Sequence, residues 1–356
     1  MENSTPPFAC KHSSNLPELL TELNCSIALS TYQAGKVIFI SAKNKEELVQ
    51  LPRTFDKAMG MTLRGNKMAL ATREEVIVLA DHPELGKHYP KNSGVYDHFF
   101  VPRATYHSGQ VDIHDLEWGN EGLWAVNTSF SCLCLIDENF SFVPKWKPSF
   151  ITELVSEDRC HLNGMALKDG KPKYVTTLGH KNSFQSWREN ITQGGLLIDV
   201  EKNEIILENL PMPHSPQFYL DKLYLLFSAT GEIVCYDENS GKYELIKKLN
   251  GFVRGMAVYK DYMFVGMSKL RQNSSTFKQL PIAELSSDAG IIVIHIPTKS
   301  TVASLYYKSS VDEIYDIMIL PGMNRPGILN TIDPVFRMGL SIPGADYWAK
   351  IDKPVK

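Results

Sequence analysis

The 356-residue sequence predicts an all-β fold, a single β-propeller of six blades. Three features predict it: a hairpin-like unit that recurs six times, few amphipathic helical segments, and chain ends that complement one another.

The unit is a polar residue, a small or turn-forming residue, three or four mostly apolar residues, a short polar turn and a second apolar run. It reads MGMTLRGNKMALAT from Met59, HDLEWGNEGLWAVNT from His114, NGMALKDGKPKYVTT from Asn163, SPQFYLDKLYLLFS from Ser215 and RGMAVYKDYMFVGMS from Arg254, with a degenerate YDIMILPG from Tyr315. The small-residue slot is Gly60, Asp115, Gly164, Pro216, Gly255 and Asp316, at spacings of 55, 49, 52, 39 and 61 residues. Short β-rich runs around Gly-, Asn- and Asp-containing turns are hairpins. A third strand follows in EVIVLAD, CLCLID, GGLLIDV, GEIVCYD and AGIIVIHIP. Three or four short strands per period of about 50 residues suit a propeller blade.

Helical patterning is limited to 16–24 (LPELLTELN) and 149–156 (SFITELVS), too little for βαβ units. At the ends, SIALSTY, KVIFISA and ELVQLP lack a preceding inner strand, and DIMIL, after Tyr315, lacks partners. Pairing them closes the ring and removes two exposed sheet edges. Seven blades, with a weak blade in a long gap, is the alternative. The expected organisation is an N-terminal extension (1–24), a propeller (25–325) and a C-terminal tail packed on it (326–356). Long insertions at 82–111, 178–190 and 269–288 are expected to be functional loops.

Composition narrows the function. The chain is 43% hydrophobic and 22% charged with a net charge of −3. It lacks the basic excess that neutralises a phosphate backbone, so nucleic acid is not an expected partner. No apolar run reaches the ~20 residues of a membrane span, and MENSTPPFACKHSSNLPELL reads as no secretory leader. A cytoplasmic protein is expected. Cys10, Cys25, Cys132, Cys134, Cys160 and Cys235 form no CxxC pair and read as reduced thiols. No GxSxG, Walker A or GxGxxG is present, so no nucleotide cofactor is expected.

The residues leading each unit carry the candidate chemistry. Immediately before the slot stand Met59, His114, Asn163, Ser215, Arg254 and Tyr315; two residues earlier stand Lys57, Asp112, His161, Pro213, Phe252 and Glu313. Strand residues two apart share a side. Asp112 with His114, His161 with Asn163, and Glu313 with Tyr315 are therefore expected as same-side pairs at one end of the channel. His214 falls out of phase with Ser215 unless the flanking prolines kink the strand. Thr72, Asn127, Thr128, Thr177, Ser228 and Ser268, at the ends of second strands, read as turn formers. Lys269 and Arg271 either lend positive charge to the mouth or are solvated.

Three chemistries fit this set. His114, His161 and His214, with Asp112 or Glu313, suit a divalent metal such as Zn, Mn, Fe or Ca. Alternatively His114 or His161 carries a proton, oriented by Asp112, with Tyr315 as a proton donor. Arg254 then clamps an anionic substrate, while Asn163, His214, Ser215, Glu313 and Lys269 complete the binding site. In the third, the mouth binds a ligand or protein without catalysis. A structural use of these polar residues, tying blade to blade, stands beside all three.

The segments STYQAGKV (30–37), DIHDLEWGNEGLWAVNTSFSCL (112–133), EDRCHLNGMAL (157–167), GGLLIDV (194–200), MPHSPQFY (212–219), FVRGMAV (252–258) and LPIAE (280–284) resemble a bacterial family of conserved hypothetical, propeller-like proteins, a domain of unknown function. The resemblance spans roughly 25–325 and implies a propeller; it brings no activity, cofactor or catalytic residue. The blade pattern is more distantly similar to gluconolactonase-like and virginiamycin-lyase-like propellers, at the level of fold alone. The combined expectation is an enzyme of lyase, isomerase or hydrolase type acting on a small, anionic molecule; the alternative is a non-catalytic binding scaffold.

Overall fold

In the computed structural model, residues 5–270 and 277–349 are described, and they form six antiparallel sheets around one axis. The innermost strands are Asp316–Pro321, Met61–Arg64, Ile113–Gly119, Leu162–Lys168, Pro213–Tyr219 and Phe252–Tyr259, which lead blades 1 to 6. Each packs on the next around the ring.

Blade 1 closes the circle as expected. Cys25–Thr31 pairs antiparallel with Asp316–Pro321, placing Ile27 opposite Ile319, and Lys36–Ala42 and Leu48–Thr54 complete the sheet. The strands nearest the axis bury both faces because neighbouring blades cover them; Cys25–Thr31 is buried along its whole length. The core is correspondingly divided among the blade interfaces. Phe39, Met68, Leu70 and Phe100 fill the space between blades 1 and 2, and Tyr224, Ile233, Met256 and Val265 that between blades 5 and 6.

Two outer edges are covered by terminal segments. Cys10–His12 pairs with the outer strand of blade 6, Cys10 opposite Tyr307. Gly327–Ile328 adds in parallel to Phe99–His107 of blade 2. The predicted helix forms at Leu16–Leu23, with Pro17 in its first turn, Leu16, Leu19, Leu20 and Leu23 buried, and left-handed Asn24 ending it. The C-terminal hairpin, Gly339–Ile342 with Ala345–Trp348, rests on blade 2, where the Trp348 indole donates to the Leu85 carbonyl at 3.0 Å. No helix among the described residues is long and apolar enough to cross a membrane.

Two expectations are corrected. Residues 149–156 are not helical; a turn from Pro148 to Ile151 leads into irregular chain. Residues 82–111 are not wholly a loop, because Phe99–His107 is the fourth strand of blade 2.

The slot is small for a steric reason. It alternates around the ring between glycine and a larger residue, and each glycine faces the next blade's slot. A Cβ on Gly60 would lie 2.8 Å from the Asp115 Cα, one on Gly164 2.5 Å from the Pro216 Cδ, and one on Gly255 2.9 Å from the Asp316 Cα. The larger residues bind forward. The Met165 amide donates to the Asp115 carboxylate and the Met61 amide to that of Asp316, each at 2.9 Å. In blade 5 proline cannot play this part, and the Ser215 hydroxyl accepts from the Gly255 amide at 3.1 Å.

The hydroxyls read as turn formers are mainly blade ties. Thr128 donates to the Leu162 carbonyl (2.6 Å), Ser228 to Val253 (2.5 Å) and Ser268 to Ile314 (3.2 Å), each crossing to the next blade, and Ser30, which is not among them, makes the same kind of tie to Met59 (2.6 Å). Thr72 and Thr177 stay local, on the carbonyls of Glu75 and Gly179.

Enclosure by the ring pushes the Asp316 carboxyl up to about 7, against the lowering effect of the Met61 and Ile317 amides. In the unfolded chain a carboxyl ionises near ~4. Between those values the folded state holds a proton that the unfolded state has lost, so Asp316 makes stability fall as pH rises from about 4 to about 7. Asp316→Asn is expected to flatten that fall in urea unfolding midpoints taken from pH 4 to 8. Curves for variant and parent that run parallel across this window would contradict it.

Candidate functional site

The leading polar residues reach the mouth through a backbone irregularity repeated in four blades. The first two strands lose register at the same point in blades 3, 4, 5 and 6, at His114, Asn163, Ser215 and Arg254. Such bulges re-aim side chains. Asp112, His161 and Ser215 have φ of 54°, 49° and 49°. The left-handed turn at Asp112 and His161, just before their strands begin, breaks the two-residue alternation. The expected same-side pairing of Asp112 with His114 and of His161 with Asn163 therefore does not hold as strand geometry.

A cavity of about 510 Å³ runs along the axis, and His114, Asn163, His214, Ser215, Arg254 and Tyr315 all contribute to its wall. His161, Asp112, Glu313 and Lys269 stand outside that wall. His161 is joined to the cavity through His114, the two rings meeting edge to face at 4.8 Å.

His114 is buried, and its Nδ1 lies 3.1 Å from the Asp112 carbonyl and 3.6 Å from the Asp112 carboxylate. Burial lowers this imidazole to about 4, with Asp112 opposing and His161 and Arg254 assisting, so the ring is neutral at pH 7. Asp112 orients His114 mainly through its backbone. His161 has a side-chain orienter that the sequence analysis missed: its Nδ1 lies 3.0 and 3.1 Å from the two carboxylate oxygens of Asp158. The Trp187 indole donates to the same carboxylate at 2.8 Å and lies against the His161 ring at 4.2 Å. The available signal was the three-residue spacing in DRCH, and Asp158 is itself left-handed, with φ 48°. Cys160 between them is buried, its thiol pushed up to about 12, which removes it as a nucleophile.

Several expected binding groups are engaged in the scaffold. Asn163 donates to the Pro213 carbonyl at 3.0 Å and accepts from Thr176 at 2.6 Å, tying blade 4 to blade 5. His214 is buried, with Nδ1 3.0 Å from the Met212 carbonyl and 2.8 Å from the Ser228 hydroxyl, and burial and Arg254 hold it well below the ordinary imidazole range. Lys269 pairs with Asp312 at 2.8 Å, and the Glu313 carboxylate accepts from the Gln33 amide at 3.1 Å. Arg271 lies outside the described residues.

Arg254 and Tyr315 are arranged differently. The guanidinium lies 3.6 Å over the Tyr315 ring. The Tyr315 hydroxyl is buried with no hydrogen-bond partner among the described residues, although Tyr315 lines the cavity. Burial pushes it well above the ordinary phenol range, so it is a proton donor at pH 7.

The described residues hold no group of three or more His, Cys, Asp or Glu side chains placed to bind a metal ion. The expected set of His114, His161 and His214 lacks that geometry, and each Nδ1 is committed to the protein. Above the mouth, parts of the second and third insertions pack together: Trp187 and Ile191 join Leu280 and Ile282 over Met212 and Phe252.

Six blade sheets, four of four strands and two extended to five by terminal segments, closed by N-terminal strands and gathered round a polar mouth, define a six-bladed β-propeller. Over residues 14–329 the chain matches the domain of unknown function DUF4915, and it belongs to that family. Among solved structures, one from a nidogen/laminin complex is 8% identical, with a TM-score of 0.50 over 84% of this chain and 99% of that one. A protein of unknown function from Bacteroides caccae is 9% identical, with a TM-score of 0.51 over 83% and 98%. These likenesses are of fold alone. No curated protein matches the chain.

Proposed function

We propose that the protein is an enzyme of lyase, isomerase or hydrolase type that binds a small anionic molecule at the channel mouth and moves a proton on it. The observation that carries this reading is the pair Arg254 and Tyr315. A half-buried guanidinium with no acidic partner among the described residues sits over a buried tyrosine whose hydroxyl is unsatisfied. Leaving buried polar groups unpaired is costly, and a carboxylate or phosphate answers both. In this reading Arg254 receives the anion and the Tyr315 hydroxyl donates to it. With Nδ1 held by Asp158, His161 has Nε2 as its remaining proton site, and Asp158 stabilises the imidazolium formed when Nε2 takes the substrate proton. Neutral His114, against His161, offers Nε2 to hold or relay that proton. The six free cysteines, five of them buried, suit a reducing compartment such as the cytoplasm.

The scaffold alternative draws on Asn163, Ser215 and His214, whose polar atoms already serve blade contacts. Calorimetry with a panel of small carboxylates and phosphates separates the readings. At least one anion is expected to bind, and Arg254→Ala to weaken it by about 10- to 100-fold, the range of a lost charge-assisted contact. Binding that is indifferent to Arg254, or absent from folded protein, would remove the proposal. Binding without turnover of any bound anion would favour the scaffold.

A further inference from the structure

We infer that Lys57 is a second anion-binding group of the mouth and that the ligand carries two acidic groups, one met by Arg254 and one by Lys57. This rests on the reading of Arg254 above and extends it to the class of ligand.

Lys57 stands in blade 2 where Asp112 and His161 stand in blades 3 and 4, two residues ahead of the bulge column, and shares their left-handed backbone with φ 49°. It is half-buried. Its ammonium donates to the Tyr32 hydroxyl at 2.6 Å and lies 4.7 Å from the centre of that ring. Tyr32 stacks on Tyr315 at 6.1 Å and 24°, and Tyr315 carries Arg254 on its ring. Two cations from blades 2 and 6 are thus joined through two stacked tyrosines of blade 1.

What contacts these cations is π-density and one phenol; the carboxyl that acts on Arg254 electrostatically, Asp316, is held by the Met61 and Ile317 amides. The acid next to Lys57, Asp56, is taken by Arg73 at 2.7 Å. Glu313 accepts from Gln33, and Asp112 faces His114. Neither Lys57 nor Arg254 makes an ion pair with a described residue. Aromatic faces stabilise a cation without cancelling its charge, so both retain attraction for an incoming anion. Asp112 and Glu313, which act electrostatically on Tyr315, disfavour an anion placed beside them, so the acidic groups of the ligand must meet the two cations themselves.

The test is calorimetric titration with saturated dicarboxylates of increasing length, each against the monocarboxylate of equal length. The best diacid is expected to bind at least ~10-fold more tightly than its monoacid, in line with one added charge-assisted contact. Lys57→Ala should erase that ratio by weakening the diacid more than the monoacid, Lys57→Arg should keep it, and Arg254→Ala should weaken both acids. Lys57→Met, which keeps the side-chain stem over Tyr32, repeats the test should the alanine variant fold poorly. Monoacids that bind through Arg254 with no diacid advantage, or a ratio indifferent to Lys57, would overturn this inference and leave the reading of Arg254 intact. Failure of every acid to bind folded protein would overturn both.

Discussion

His161→Ala is expected to reduce turnover of the bound anion by about 10²- to 10⁴-fold, the range a positioned acid or base contributes. The fold should survive, because His161 lies at the rim, outside the cavity wall, in a turn before its strand. Asp158→Asn provides the sharper diagnosis. It preserves the shape beside the His161 Nδ1 and the Trp187 indole while removing the charge that favours the imidazolium. Its kcat is expected to fall with little change in KM, because the charge is needed only when the imidazolium forms. A purely structural Asp158 would lower the yield of active protein and leave the kcat of the remainder in place. Steady-state rates over a range of substrate concentrations, normalised to folded protein, decide between these outcomes.

Gly255→Ala is expected to destabilise the fold by about 2–5 kcal/mol, the largest single effect on stability foreseen here. Two costs combine. The glycine φ of 75° lies in the left-handed region, and an added Cβ would meet the Asp316 Cα at 2.9 Å and its carbonyl carbon at 3.0 Å. These are backbone atoms, so relief requires two inner strands to part. Two controls separate the terms. Gly65 has φ 60° with open space around its missing Cβ, so Gly65→Ala reports backbone strain alone, about 1 kcal/mol. Gly60, without a positive φ but with Asp115 at 2.8 Å, reports the collision. Chemical denaturation should rank Gly255→Ala as the most damaging. Equal losses at Gly65 and Gly255 would mean the ring is looser than these contacts indicate.

The ring itself was legible in the sequence, because blade hairpins keep turn residues and apolar runs in a fixed order, and pairing the unpartnered ends was the simplest way to close it. The column from His114 to Tyr315 was legible for the same reason. The details of the mouth were not. Strand alternation assumes extended backbone, and left-handed Asp112 and His161 violate it at the place where the site begins. The hydroxyls of Ser228 and Ser268 look like turn formers in isolation, and their carbonyl partners lie 25 and 46 residues away. Trp187 comes from an insertion, whose route over the mouth is set by tertiary packing against Ile282 and Phe252 rather than by local pattern. Phe99–His107 hid among polar and aromatic neighbours because its burial changes along its length, residues 99–102 covered on both faces and residues 103–107 largely open.

The most direct measurement is a crystal structure of the protein soaked with its tightest-binding anion. The proposed site places an acidic group on the Arg254 guanidinium within hydrogen-bonding distance of the Tyr315 hydroxyl, with the remainder of the ligand beside His114 and His161. An anion bound elsewhere, with Arg254 turned onto a protein carboxylate and the Tyr315 hydroxyl satisfied from within the chain, would contradict it.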